Sequence, residues 1–330
     1  MDYFHSLKTF KTIAVIGQDL NKAIRLFNAG EVVAIPTETV YGLASNALDP
    51  LAVAKIFEAK QRPFFDPLIV HVSDINEAKK WSRAIPEKLL VLMQKFSPGP
   101  LTVLVEKSDA IPDIVTAGLD TVGIRIPNHP LTLELLKNLP FPICAPSANP
   151  FGYVSPTTAF HVADQLGNKI PYILDGGSCN VGIESTIVSE KNGQVYIHRL
   201  GGLSIEEIEA EVGEVFLDIN QHSNPKAPGM LDTHYAPQKL LLVGDIYELY
   251  HSTLGKKALI SFSHAYNDLG FEEHIVLSEK KDFKEAAANL FSALRQLDKS
   301  DVDIILAEHF PEEGLGKAIN DRLKRASAKR

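Results

Sequence analysis

Apolar and polar residues follow two different periods along the chain, one typical of helices and one typical of strands. A helical period covers residues 20–29 and stops at Gly30, and Asp49 followed by Pro50 predicts the start of a helix that extends to about Lys60. Further helices are predicted at residues 87–96, 131–138, 157–166 and 204–212. Short apolar or β-branched runs predict strands at residues 31–35, 68–72, 101–106, 122–126, 143–145, 172–174, 186–189 and 195–199. This alternation predicts an α/β domain with a mixed sheet.

The periodicity stops between residues 220 and 238, where turn-forming residues accumulate as in a linker. A second α/β pattern follows, with strands predicted at residues 240–243, 258–262, 275–277 and 302–307 and helices predicted at 246–254, 283–297 and after residue 316. The sequence therefore predicts a first domain at residues 1–217, a linker at 218–238 and a smaller, Rossmann-like α/β domain at 239–330.

Composition narrows the class of protein. The 330 residues are 45% hydrophobic, and 41 acidic against 33 basic residues give a net charge of −8, which disfavours a protein coated in nucleic acid. The two cysteines, Cys144 and Cys179, lack the spacing of zinc ligands and favour a reducing compartment. Neither a membrane-span length of apolar residues nor a signal-peptide pattern is present. We expect a cytoplasmic protein without membrane contact.

Two cations and two short polar side chains stand at the predicted ends of helices and strands. Lys60 and Arg62 lie between a helix and a strand, while Ser147 and Asn149 follow another strand in the loop APSANP, residues 145–150. Cations at a helix end can simply meet the helix dipole. Cations combined with short polar groups are also what a polyphosphate requires. The Walker pattern is absent, so a nucleotide here would be held in another way.

Three further positions can carry chemistry or structure. Arg125 interrupts an apolar strand, so it is expected to meet either a buried carboxylate or an anionic ligand, for which a substrate carboxylate is a good candidate. His71 lies in a predicted strand, where a single histidine is more often structural than catalytic. Ser185 follows a glycine-rich turn, and ordinary turn chemistry is sufficient to explain it.

Residues at two helix ends also have a purely structural explanation. Ser155 precedes the helix predicted at residues 157–166 and is expected to cap it, although a helix N-terminus also attracts phosphate. Residues 317–330 carry six cations against Asp321 alone, which is typical of a frayed, solvated terminal helix, with RNA contact as the alternative.

Five stretches in a fixed order carry a resemblance to a known family. They are PTETVYGL (residues 36–43), KQRP (60–63), SPGPLT (97–102), SAN (147–149) and ESTIV (184–188). Together they resemble the threonylcarbamoyl-AMP synthase family, whose YrdC-like fold is a twisted mixed sheet with flanking helices. The resemblance covers nearly the whole chain. The stretches APGMLDTHYAP (227–237) and EGLGKAIN (313–320) are similar to the linker and second domain of the family's long form.

The resemblance implies an L-threonylcarbamoyladenylate synthase, a nucleotidyltransferase. Such an enzyme condenses L-threonine, bicarbonate and ATP, with Mg²⁺ accompanying the ATP, to threonylcarbamoyl-AMP and pyrophosphate, for the threonylcarbamoyladenosine modification of tRNA. The implied catalytic residues are Lys60 and Arg62. The implied L-threonine-binding residues are Thr39, His71, Arg125, Ala145 and Ser185. The implied ATP-binding residues are Arg62, Asp66, Thr121, Ser147, Asn149, Ser155, Arg199 and, as part of a linker lid, Tyr235.

One position departs from the family pattern, which usually has asparagine where this chain has Asp66. A carboxylate beside phosphates is repulsive unless a metal ion or a cation intervenes. We keep Asp66 in the expected ATP site as a candidate Mg²⁺ contact and expect no other metal ligand from the protein.

An alternative function is a non-catalytic YrdC-like module that binds RNA or a nucleotide. The net charge of −8 counts against RNA binding, although a local basic patch would be compatible with it. If the chain is a synthase, transient contact with the machinery that transfers threonylcarbamoyl to tRNA is expected. The sequence leaves open the role of the second domain.

Overall fold

The computed structural model describes residues 14–219 and 235–328, so most of the predicted linker lies outside the described residues. The strands are β1 Val15–Gly17, β2 Val33–Ile35, β3 Gly42–Asn46, β4 Ile69–His71, β5 Leu101–Glu106, β6 Thr121–Arg125, β7 Ile143–Cys144, β8 Tyr172–Leu174, β9 Thr186–Lys191, β10 Gln194–Arg199, β11 Val215–Leu217, β12 Leu240–Val243, β13 Lys257–Ser261, β14 Glu273–Val276 and β15 Ile304–Ala307. The helices are α1 Leu20–Asn28, α2 Pro50–Lys60, α3 Ile75–Lys80, α4 Glu87–Phe96, α5 Asp113–Thr116, α6 Pro130–Lys137, α7 Ala159–Leu166, α8 Ile205–Val212, α9 Ile246–Ser252, α10 Phe283–Lys299 and α11 Gly316–Ser327.

Within the described residues, the first eleven strands form one mixed sheet in the order β1-β8-β2-β3-β7-β4-β6-β5-β9-β10-β11. Strand β6 lies next to the central strand β4, to which it is parallel, and is antiparallel to β5 on its other side. The register places the end of β6 beside the end of β4, so side chains far apart in sequence meet at one edge of the sheet. The predicted mixed sheet with flanking helices is confirmed.

The other four described strands form a separate parallel sheet in the order β12-β15-β13-β14. Strand β15 is inserted between β12 and β13, with α9 and α10 in the connections, which is the winding expected of a Rossmann-like domain. No helix in residues 14–219 and 235–328 is long and apolar enough to cross a membrane.

Local sequence signals explain where several helices begin. The Asp49 side chain accepts a hydrogen bond from the backbone N–H of Leu51, with Pro50 in the first turn, as predicted for α2. Helix α8 starts with a capping box between Ser204 and Glu207. The predicted cap of α7 is wrong, because Thr158 and not Ser155 accepts the capping hydrogen bond.

The prediction of a frayed, solvated terminal helix is also wrong. Helix α11 packs against the protein, and its Arg322, Leu323 and Ile319 side chains are fully buried. The long helix α10 contributes residues such as Leu290 and Phe291 to the same core. The same cluster includes first-domain residues, so apolar packing is continuous between the two sheets.

The second domain should depend on the α10 core. Leu290 is fully buried, so Leu290→Ala should lower the free energy of unfolding by about 2–5 kcal/mol through lost contacts and a cavity. Leu254 is 92% exposed, and Leu254→Ala should change it by less than about 0.5 kcal/mol. Urea unfolding followed by circular dichroism measures both. Equal effects of the two substitutions would contradict the assigned core.

Candidate active site

A cavity of about 50 Å³ opens at the ends of the central strands of the first sheet. Seven of the site residues implied by the resemblance line it: Arg62, His71, Arg125, Ala145, Ser147, Arg199 and Tyr235. Thr37, Gly42 and Glu184 also line it, and sequence reasoning did not assign them to the site. The structure thus brings together residues that lie far apart in the sequence, from Thr37 to Tyr235.

Arg125 ends β6 and is flanked by His71 of β4 and Thr102 of β5. Its Nη2 lies 2.9 Å from a carboxylate oxygen of Glu38 and donates a hydrogen bond of 2.8 Å to Thr39 Oγ1. The expectation of a buried carboxylate partner is therefore confirmed. Among the described residues, the buried Nε of Arg125 has no hydrogen-bond acceptor. A guanidinium held in this way keeps a donor for an incoming carboxylate.

His71 is held in a neutral state. Burial, and then the positive charge of Arg125, lower the pKa of His71 to about 3. Its Nδ1 lies 3.1 Å from the carbonyl oxygen of Ile69, which fits a proton on Nδ1. The Nε2 lone pair then serves as a hydrogen-bond acceptor.

Lys60 lies behind the cavity and is 1% exposed. Its Nζ donates hydrogen bonds to the carbonyl oxygens of Ser147 and Asn149. Burial, and then the nearby Arg62, lower the pKa of Lys60 well below its ordinary value. In this arrangement Lys60 ties the end of α2 to the loop of Ser147 and Asn149. The catalytic role implied for Lys60 stays a prediction.

Arg62 lines the cavity. It is paired with Asp66, the residue at which this chain departs from the family pattern. Arg62 Nη2 lies 2.8 Å from Asp66 Oδ2, and both side chains are buried. Burial raises the pKa of Asp66, while Arg62 is the largest influence in the opposite direction. The cation expected to intervene between Asp66 and any phosphate is therefore Arg62.

The described residues include no group of three histidine, cysteine or acidic side chains that could hold a metal ion. Asp66 is a carboxylate of the kind that Mg²⁺ accepts, but it is engaged with Arg62. A Mg²⁺ ion would thus be held mainly by the phosphates that it accompanies.

Two serines expected in the site stand just behind the lining residues. Ser185 accepts hydrogen bonds from Arg199 at its carbonyl and hydroxyl oxygens, at 2.9 and 3.0 Å from Nη2. Ser155 donates a hydrogen bond of 2.6 Å to Glu184 Oε1. Both serines therefore orient charged groups that line the cavity.

Tyr235 closes one side of the cavity and is 1% exposed. Its ring stacks on Phe291 of α10, with centroids 5.5 Å apart, and the Arg322 guanidinium lies 4.9 Å from the ring centroid. Burial raises the pKa of Tyr235 to about 12. The lid role implied for Tyr235 stays a prediction.

Thr121 is an implied ATP residue that lies away from this cavity. It starts β6, four residues before Arg125, which is about 13 Å along an extended strand. Thr121 lines a different cavity together with Ser189 and His198. Its role in ATP binding stays a prediction.

Comparisons with known proteins give a consistent classification. A family model described as telomere recombination, for Sua5, YciO and YrdC proteins, matches residues 25–201. A model described as the C-terminal domain of threonylcarbamoyl-AMP synthase matches residues 203–328. That second match begins earlier than the predicted linker, so the boundaries at residues 217 and 239 stay predictions.

Individual relatives agree over most of the chain. The threonylcarbamoyl-AMP synthase of Pyrococcus abyssi is 42% identical over 316 residues, which cover 91% of this chain and 92% of that protein. That of Bacillus subtilis is 41% identical, covering 94% and 93%. A crystal structure of P. abyssi Sua5 complexed with L-threonine has a TM-score of 0.88 and 39% identity, covering 96% of this chain and 97% of that one. This chain belongs to the threonylcarbamoyl-AMP synthase family, as the sequence motifs predicted.

The neutral state of His71 predicts a pH dependence of stability. The folded protein takes up this proton only near pH 3, whereas the unfolded chain takes it up near 6.5, so stability should fall as the pH falls between these values. His71→Asn should make the fall shallower by up to about 1.4 kcal/mol per pH unit. Urea unfolding at several pH values from 7 to 4.5 measures the slope. Identical slopes in both proteins would contradict the assignment.

Proposed function

We propose that this cavity condenses L-threonine, bicarbonate and ATP to threonylcarbamoyl-AMP and releases pyrophosphate. One observation carries the proposal: Arg62, Arg125 and Arg199 are all buried and line one small cavity at the ends of strands. Such a concentration of guanidinium groups fits a site for carboxylate and phosphate groups. The names of the relatives from P. abyssi and B. subtilis support the same reaction.

L-threonine would bind at the Arg125 end of the cavity. The buried Nε of Arg125 can donate to the substrate carboxylate, and neutral His71 can accept a hydrogen bond from its amino group. Thr39 is fixed between Arg125 and Thr37, which supplies a further hydroxyl at the same place. The structural neighbour complexed with L-threonine supports L-threonine as the amino acid substrate.

The triphosphate of ATP would lie toward Arg62 and Arg199, with the loop of Ser147 and Asn149 beside it. Mg²⁺ accompanying ATP would neutralise phosphate charge, with Asp66, which is paired with Arg62, as its candidate contact on the protein. The amine of threonine reacts with bicarbonate to give a carbamate and water. The carbamate oxygen then attacks the α-phosphorus as the bond to pyrophosphate breaks. The arginines would stabilise the charge that accumulates on the leaving phosphates.

The size of the cavity implies movement. Ligand pockets usually have volumes of about 300–1,000 Å³, so the three substrates cannot enter a cavity of about 50 Å³ unless it opens. Tyr235 is the lining residue that belongs to the predicted linker. Closure after binding would exclude water, which protects a carbamate from hydrolysis.

The product would serve the threonylcarbamoyladenosine modification of tRNA. This use implies transient contact with the enzyme that transfers the threonylcarbamoyl group. The two cysteines of the chain are both free and buried, which supports a cytoplasmic location for the reaction.

Pyrophosphate release should require both L-threonine and bicarbonate. Arg125→Met should raise KM for L-threonine by at least about tenfold, because a charged hydrogen bond to the substrate carboxylate is lost. Arg83, an exposed arginine paired with Asp109, provides the control Arg83→Met, which should leave kinetics unchanged. Coupled detection of pyrophosphate with each amino acid in turn measures the effect. No threonine-dependent release, from folded protein that still binds nucleotide, would favour a nucleotide-binding module instead.

The lid hypothesis predicts that the Tyr235 ring supports synthesis. Tyr235→Ala should lower kcat by about tenfold or more, because the carbamate is left exposed to water. Tyr247 is 44% exposed in the second domain, and Tyr247→Ala serves as the matched control. Threonylcarbamoyl-AMP formation and the circular dichroism spectrum are measured together. Unchanged turnover in folded Tyr235→Ala would remove the lid hypothesis.

A further inference from the structure

We infer that Arg322, in the last helix of the second domain, is a positioning residue of the active site, fixing both Glu184 and the lid residue Tyr235. The second domain would then complete the catalytic cavity in addition to anchoring the linker. This inference rests on the proposed function and assigns a role to the domain that the sequence left open.

The first observation is that each of the three nitrogens of the Arg322 guanidinium donates a hydrogen bond. Its side chain is fully buried, and its Nε donates a hydrogen bond of 2.8 Å to Glu184 Oε2 of the first domain. Its Nη2 donates a hydrogen bond of 2.8 Å to the carbonyl oxygen of Leu200, also in the first domain, and its Nη1 donates one of 2.7 Å to Asp321. A buried guanidinium is tolerated only with such a complete set of partners. Two of these partners belong to the first domain.

The second observation is the position of Glu184. This carboxylate lines the cavity, and its other oxygen accepts the hydrogen bond from Ser155. Burial tends to raise the pKa of Glu184, but Arg322 and then Arg199 outweigh it and hold the pKa below its ordinary value. Without Arg322, a buried negative charge would face the anionic substrates with much less compensation.

The third observation links Arg322 to the lid. The guanidinium lies over the Tyr235 ring at 4.9 Å from its centroid, a distance at which a cation and an aromatic ring attract each other. Phe291 of α10, also in the second domain, stacks on the ring with an interplanar angle of 28°. The closed position of Tyr235 is therefore set by two side chains of the second domain.

If Arg322 only held the two domains together, other ion pairs between the domains would be equally important. Lys317 provides a control for this possibility. Lys317 of the same helix also pairs with a first-domain carboxylate, Glu206, at 2.6 Å. That pair is partly exposed and lies away from the cavity. Lys317→Met therefore removes an ion pair between the domains without changing the charge at the site.

The test uses the full-length protein and measures KM for ATP, kcat for threonine-dependent pyrophosphate release, and the dissociation constant of ATP by calorimetry. Arg322→Met should raise KM for ATP by about tenfold or more and lower kcat, because Glu184 loses its counter-ion and Tyr235 its support. Lys317→Met should leave these values within about twofold of the original. Arg322→Lys, which keeps the charge but not the planar fork, should lie in between.

Removing the charge of Glu184 distinguishes a positioning role of Arg322 from a role that only holds the two domains together. Glu184→Gln removes the uncompensated charge, so the double variant Arg322→Met with Glu184→Gln should lose less ATP affinity than the two single losses combined. Losses that simply multiply, or an Arg322→Met protein with unchanged KM and kcat, would overturn the inference. If Arg322→Met does not fold, the comparison of Arg322→Lys with and without Glu184→Gln decides in the same way. Absence of threonine-dependent release in the unaltered protein would instead refute the proposed function, and the ATP dissociation constants would still test Arg322.

Discussion

The structure depends on burying basic and acidic side chains together around one cavity. Among the described residues, five basic side chains that line or support it are almost fully buried: Lys60, Arg62, Arg125, Arg199 and Arg322. Three buried carboxylates accompany them: Glu38, Asp66 and Glu184. Burying any one of these charges alone would cost several kcal/mol, roughly, so each is stable only because an opposite charge or a carbonyl oxygen lies within hydrogen-bond distance.

This arrangement explains how a protein with a net charge of −8 can hold anionic substrates. The basic side chains outnumber the carboxylates at the cavity, so the local field favours phosphate and carboxylate groups although the surface as a whole is acidic. The internal carboxylates hold the guanidinium groups in place before a substrate arrives. Preorganised charge of this kind contributes to catalysis because the groups need not reorient during the reaction. The same network includes Arg322 of the second domain, which donates a hydrogen bond to Glu184 at the cavity.

Much of the fold and part of the site followed from the sequence, for identifiable reasons. Long periodic segments such as α10 were predicted closely, whereas β3 was missed because its residues GLASN include small and polar types that do not form an apolar or β-branched run. The short strands β1 and β11 were also missed. Arg125 does meet a buried anion, as its place in an apolar strand predicted, but the identity of Glu38 depends on how residues 38 and 125 meet in the folded chain. Arg322 was assigned to a solvated tail, since a run of cations does not reveal that one of them enters the core. Thr121 shows the opposite case. The resemblance implied that it binds ATP, but in the structure it lines another cavity.

The central claim is that the buried arginines form the binding site for L-threonine and ATP. A crystal structure of this protein with L-threonine, Mg²⁺ and a non-hydrolysable ATP analogue tests it most directly. The account predicts the threonine carboxylate on Arg125, the triphosphate beside Arg62 and Arg199, and Tyr235 closed over both with the Glu184–Arg322 pair intact. Ligands bound at another cavity, or a bound triphosphate that contacts none of these arginines, would contradict it.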